Sequence, residues 1–95
     1  MSVSRNYDEI IVSRVVPAPD GISYLVPMHP YYWDCLDEMV AVGWTTFDEV
    51  MGIAWRGKER NAQNDLRSDL PFTLNVAIDE MHEHYLTRVR GYAND

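Results

Sequence analysis

Cations are scarce in this chain of 95 residues. Eight Lys and Arg stand against fifteen Asp and Glu, which leaves a net charge of −7. Generic binders of nucleic acid or anionic lipid gain most of their affinity from an excess of basic residues, so the whole-chain balance opposes both. Cysteine occurs once, at Cys35, which excludes an intramolecular disulfide framework and suits a reducing cytosol. Long apolar runs are missing too: none approaches the roughly 20 residues that span a bilayer, and the N-terminus lacks a basic-then-apolar secretory pattern. The expectation is a cytoplasmic protein with no membrane contact. What remains is 46% hydrophobic and 12% aromatic, the composition of one small globular domain. Such a chain buries only about 60–65% of its unfolded surface. A second copy would enlarge that core.

The charge is unevenly placed. Residues 1–55 carry −6, residues 56–67 carry +2, and residues 68–95 carry −3. Half of the basic residues, Arg56, Lys58, Arg60 and Arg67, fall within one twelve-residue stretch. Any phosphate contact is expected there first.

Periodicity predicts the order β-β-α-α-α. Residues 9–16 are rich in β-branched side chains and read as a strand, and residues 22–28 read as a second one. Pro17-Ala18-Pro19-Asp20-Gly21 between them is a turn signal, so the pair can form a hairpin. Pro27 cannot donate to a ladder and belongs at an edge or a strand end. Pro30 opens a helix with Tyr32, Trp33, Leu36, Met39 and Val40 at helical spacing, and Gly43 stops it. Thr46 and Glu49 fit a capping box for a second helix, whose apolar side is Phe47, Val50, Met51 and Ala54. Residues 56–68 show no period and read as a loop. Ser68 or Asp69 then caps a third helix with the stripe Leu70, Leu74, Ala77, Ile78, Met81 and Tyr85. Arg88 and Arg90 suit its C-terminal dipole end, and Gly91 ends it. The fold class is α+β, mostly helical.

The run Leu25-Val26-Pro27-Met28-His29-Pro30-Tyr31-Tyr32-Trp33-Asp34-Cys35-Leu36-Asp37-Glu38-Met39 resembles the opening of the ribbon-helix-helix proteins. It is similar to the subfamily with a strand, a Pro, and an aromatic-Trp-Asp-x-Leu-x-Glu helix. The resemblance extends over roughly residues 22–86, with Thr46–Met51 as the second helix and Leu70–Tyr85 as an additional third one. It implies an arm with strand and turn over residues 1–21 and a ribbon-helix-helix-like domain over residues 22–90. It also implies a homodimer that pairs one strand from each subunit, with Tyr24, Val26, Met28, Tyr32, Trp33 and Leu36 at the dimer interface. The function implied is a DNA-binding transcriptional regulator. The outward strand face, Ser23 and Leu25 with Pro27, would then meet the major groove, and the amide end of the second helix at Thr46 would hold phosphate. Arg56, Lys58, Arg60 and Arg67 complete the candidate DNA-binding set.

The same positions support a second expectation. Of Ser23, Leu25 and Pro27 only Ser23 offers a donor to a base edge, while Asp48 and Glu49 repel a phosphate at the helix start. An acidic chain on this scaffold suits a basic protein partner, as a nucleic-acid mimic of the kind that inhibits host defence or transcription. An antitoxin-like protein, with helix 70–86 clamping a toxin, is a further alternative.

No catalytic residue, metal site or cofactor is expected. His82 and His84 diverge by about 200° on a helix, so they cannot share one metal, and Glu80 with His84 makes only half a site. Cys35 lies among Asp34, Asp37 and Glu38, which raise rather than lower a thiol pKa. Tyr31-Tyr32-Trp33, with Trp44 and Trp55, lacks the flanking cations that a single-strand stacking platform needs.

Overall fold

A computed structural model describes residues 10–88. The chain runs β1 (Val12–Pro17), β2 (Ser23–Met28), α1 (Pro30–Ala41), α2 (Phe47–Gln63) and α3 (Leu70–Arg88), which is the α+β order the sequence predicts. The residues beyond Arg88, including Arg90 and Gly91, and residues 1–9 lie outside the described part.

β1 and β2 pair antiparallel in a two-stranded sheet, with Val12 opposite Met28, Val15 opposite Leu25 and Pro17 opposite Ser23. The turn closes because Ala18 N–H donates to the Ile22 carbonyl at 3.0 Å, and Gly21 takes a φ of 85° that a side chain would resist. Asp20 locks it by accepting from Ile22 N–H at 3.0 Å and from the Tyr24 hydroxyl at 2.5 Å. The N-terminal strand is therefore an integral element. Its partner along β2 comes from the same chain.

α1 starts at His29, whose Nδ1 accepts from Tyr31 N–H at 3.1 Å, with Pro30 in its first turn. It stops at Gly43, where φ is 80°, and the amides of Gly43 and Trp44 return to the carbonyls of Val40 and Met39. These are the paired bonds of a Schellman stop. Thr46 Oγ1 caps α2 by accepting from Glu49 N–H at 3.1 Å. The other half of the expected box is replaced: Glu49 Oε1 accepts from the Thr45 hydroxyl at 2.7 Å. Asp69 caps α3 by accepting from Phe72 N–H at 3.1 Å.

One expectation fails. Residues 56–68 are not a loop, because α2 continues through Gln63 and only the stretch from Asn64 to Asp69 connects it to α3. The stripe Val50, Ala54, Gly57, Asn61 keeps helical spacing but ends in small and polar residues, which hide it from an apolar count. Ile53, Gly57 and Asn61 line a shallow groove with Phe72, Thr73, Val76 and Ala77 of α3. Tertiary packing at this seam overrides weak local propensity. Asp65, at φ 58°, turns the chain afterwards.

α3 packs against α2, α1 and β2 and organises the core. Trp33, Leu36 and Met39 of α1 meet Val50, Met51 and Ala54 of α2, and Leu74, Ala77, Ile78 and Tyr85 of α3; Val16, Val26 and Met28 close it from the sheet. Each of the large side chains contributes about 1.5–3 kcal/mol on full burial. Two polar staples cross the layers. Trp33 Nε1 donates to the Val12 carbonyl at 2.7 Å, and the Tyr85 hydroxyl donates to Glu38 Oε2 at 2.6 Å.

Candidate protein-interaction surface

Strand alternation gives the hairpin two unlike faces. Val16, Val26 and Met28 turn inward and are buried, with Tyr24 half-buried beside them. Ser13, Val15, Pro17, Ser23, Leu25 and Pro27 turn outward and are exposed. Val15 and Leu25 lie opposite one another at the centre of this face, each 66% exposed. Ile11, which shares the parity of Ser13 and Val15, is exposed as well. The six outward side chains carry no charge, and two serine hydroxyls are their only polar groups. A continuous apolar surface of this kind on a small chain marks a contact site.

The hydrogen-bond pattern fixes which main-chain groups face outward along the edges. Ala18 N–H bonded to Ile22 C=O sets the phase, and bonded pairs alternate from there. Val16 with Tyr24, Arg14 with Val26, and Val12 with Met28 are thus the bonded pairs. Ser13, Val15 and Pro17 aim their main-chain groups at the outer edge of β1, and Ser23, Leu25 and Pro27 aim theirs at the outer edge of β2. Both prolines fall at positions that donate nothing to the ladder, which is why β2 tolerates Pro27.

Between β1 and α1 lies a cleft of about 440 Å³, lined by Val15, Val16, Trp33, Leu36, Val40 and Phe47. Arg14 and Asp37 form its rim. The Arg14 guanidinium donates twice to the Asp37 carboxylate, at 2.9 and 2.9 Å, and lies 4.8 Å from the Trp33 ring centroid. The Asp37 carboxyl is held below its usual pKa by that guanidinium, and Arg14 is raised by the same bond.

The candidate DNA-binding residues are distributed over β2, α2 and the segment that follows it. Ser23 and Leu25 sit on the outward hairpin face, whereas Thr46 begins α2 and Arg56, Lys58 and Arg60 ride on its second half rather than on a loop. Thr46 and Arg56 are ten residues apart on the helix, about 15 Å along its axis. The Thr46 hydroxyl is engaged by Glu49 N–H. Lys58 lies 5.0 Å above the Trp55 ring. Arg67 is tied to Asp69 at 2.6 Å and stacks on Phe72 at 4.7 Å, and its bond lowers the Asp69 pKa.

The residues expected at a dimer interface lie in the core of a single chain. Val26, Met28, Trp33 and Leu36 are buried there, and Tyr24 and Tyr32 pack against them. β1 accounts for this, since it supplies the strand that a lone β2 would need. Sequence reasoning missed the outward face as a unit, because its apolar centre joins Val15 and Leu25 only once the register is known.

The remaining sequence features are absorbed by packing. His82 sits against the rings of Tyr31 and Tyr85. Among the described residues no three His, Cys, Asp or Glu side chains are placed to hold a metal ion. Cys35 is buried, and burial, with Glu38, Asp34 and Asp79 nearby, raises its thiol above the ordinary value of 9.0 despite a bond with Tyr31. Among the described residues no helix is long and apolar enough to cross a membrane.

No family model, curated protein or solved structure matches the chain. Functional inference therefore rests on the surface itself.

Proposed function

We propose that this protein is an acidic interaction module that docks a partner protein through the outward face of its β-hairpin. The observation that carries this reading is the uncharged face centred on Val15 and Leu25, each 66% exposed. Burying such a face against another protein is favourable by roughly 25 cal/mol per Å² of apolar area. Against a major groove it would leave base edges without donors. The carboxylates of Asp34, Asp48 and Glu49, all exposed, favour a partner whose contact surface is rimmed by Lys and Arg, and the −7 charge speeds that encounter.

The other reading is a homodimeric ribbon-helix-helix DNA-binding regulator, in which Arg56, Lys58 and Arg60 of α2 meet phosphate. Its support is the strand-Pro-helix-helix pattern and the clustered cations. A duplex titration separates the two. The interaction-module reading expects no duplex binding at low salt by fluorescence anisotropy. Binding that falls steeply with salt, and that drops on changing Arg56 and Lys58 to Ala, would overturn it in favour of the regulator.

A further inference from the structure

We infer that the outer edge of β1 and the cleft beside it form a receptor for an extended segment of a partner protein, which adds to the sheet as a third strand. This inference rests on the interaction-module reading and adds to it a second site, which adjoins the outward face at Val15. Three observations converge on one occupant.

The first is the edge. Ser13 and Val15 turn both N–H and C=O away from β2, and Pro17 turns its carbonyl, so a stretch of main chain stands ready to pair with an extended backbone. Pro17 lacks an N–H, which ends the pairing there and limits the added strand to a short one. β1 is not sealed by a further strand of the described residues.

The second is the cleft, which opens along this edge and not along β2. No β2 residue lines it; its walls are Val15, Val16 and Pro17 on one side and Trp33, Leu36, Val40 and Ala41 on the other, with Phe47 at one end. A strand laid along β1 points alternate side chains into this space. Its volume of about 440 Å³ takes small aliphatic side chains at such alternate positions.

The third is charge. Asp37 lies on the rim, and Asp34 is close enough to act electrostatically on Arg14. Asp48 lies near Pro17 at the other end, where both line a smaller hollow. Arg14 offsets Asp37, which leaves Asp34 near one end and Asp48 near the other as the net charge. The occupant is therefore a segment of alternating small aliphatic residues flanked by Lys or Arg.

The probe is a synthetic peptide with alternating valine and threonine between two lysine pairs, titrated into the uniformly 15N-labelled protein and followed by amide shifts and hydrogen exchange. The Ser13 and Val15 amides are expected to gain protection, and the same core between glutamate pairs should bind more weakly by about tenfold or more. Val15→Pro removes the edge donor while leaving the β1–β2 ladder, because that N–H takes no part in it. Val40→Lys, at an exposed position on the helix side of the cleft, fills the cleft without touching the edge. Each should weaken the peptide by about tenfold or more, with the spectrum of each variant reporting that it is folded. Leu25→Lys should leave peptide binding unchanged. No saturable binding of the lysine-flanked peptide, or binding that survives V40K, would overturn the receptor. Shifts confined to the outward hairpin face and abolished by L25K would also overturn it, while leaving the interaction-module reading intact; duplex DNA binding would remove that reading instead.

Discussion

The three tryptophans occupy different polar environments, so one substitution applied to each should give three different results. Trp33 is 1% exposed and its indole N–H donates to the Val12 carbonyl at 2.7 Å. Trp33→Phe loses that bond, a net of about 0.5–1.5 kcal/mol, and leaves part of the indole volume unfilled, a further 1–2 kcal/mol or so. The sum is about 1.5–3.5 kcal/mol, against a total stability of roughly 5–14 kcal/mol for a chain of this size. The melting temperature should fall by roughly 10–20 °C. Trp44 is the opposite case: its Nε1 is buried with no acceptor among the described residues. Trp44→Phe removes a donor whose orphaned burial costs about 1–3 kcal/mol, which offsets the lost packing and leaves stability within about 1 kcal/mol of the parent. Trp55 is half-buried beside Tyr24, with Lys58 above its ring. A phenyl ring there keeps most of the contact, and the cost should stay below about 1 kcal/mol. Urea titrations followed by far-ultraviolet circular dichroism measure all three. A Trp44→Phe variant that is destabilised as much as Trp33→Phe would refute the reasoning, because hydrogen-bond satisfaction is what separates them.

Further outcomes follow from the same geometry. Asp37 has its pKa lowered from 3.8 by Arg14, so the pair supports the fold above that pH and is lost as the pH falls through the lowered value. Both side chains are substantially exposed, so the effect is small; Asp37→Asn should flatten the acid limb of the stability curve slightly, and an unchanged acid limb would contradict the pairing. Tyr24 is raised above 10.0 by its bond to Asp20 and Tyr31 by its bond to Cys35, so in a spectrophotometric titration Asp20→Asn should return one late phenol toward the ordinary range and leave Tyr31 late. Cys35 should resist alkylation at neutral pH in the native protein and react promptly in urea, since burial holds its thiol protonated. Gly43→Ala should cost about 1 kcal/mol in a denaturant titration, because φ is 80° there.

Local signals were legible where one residue type carries one geometric demand. Asp-Gly at the hairpin, Gly43 at the end of α1, Thr46 before α2 and Asp69 before α3 each satisfy a backbone need that the chain states within a few residues. The α3 stripe was legible because Leu70, Leu74, Ala77, Ile78 and Tyr85 keep their period for the whole helix. The second half of α2 was not, since Gly57, Arg60 and Asn61 acquire their helical role only by lying along α3. Nor did the sequence show the clamp of Arg14 on Asp37 or the bond of Tyr85 to Glu38, which join positions 23 and 47 residues apart. For the candidate site, alternation put Ser23, Leu25 and Pro27 outward. That β1 places Val15 opposite Leu25, and so makes an uncharged surface of the two strands, depends on a register no short-range pattern encodes.

A photo-crosslinking amino acid placed at position 25, and irradiated in the native cell, tests the central claim most directly. Position 25 is the centre of the outward face, so a discrete protein adduct should form there and should be missing when the same group is placed at the exposed Glu83 of α3. An adduct with nucleic acid, or the same protein adducts from both positions, would contradict the claim that this hairpin face docks a partner protein.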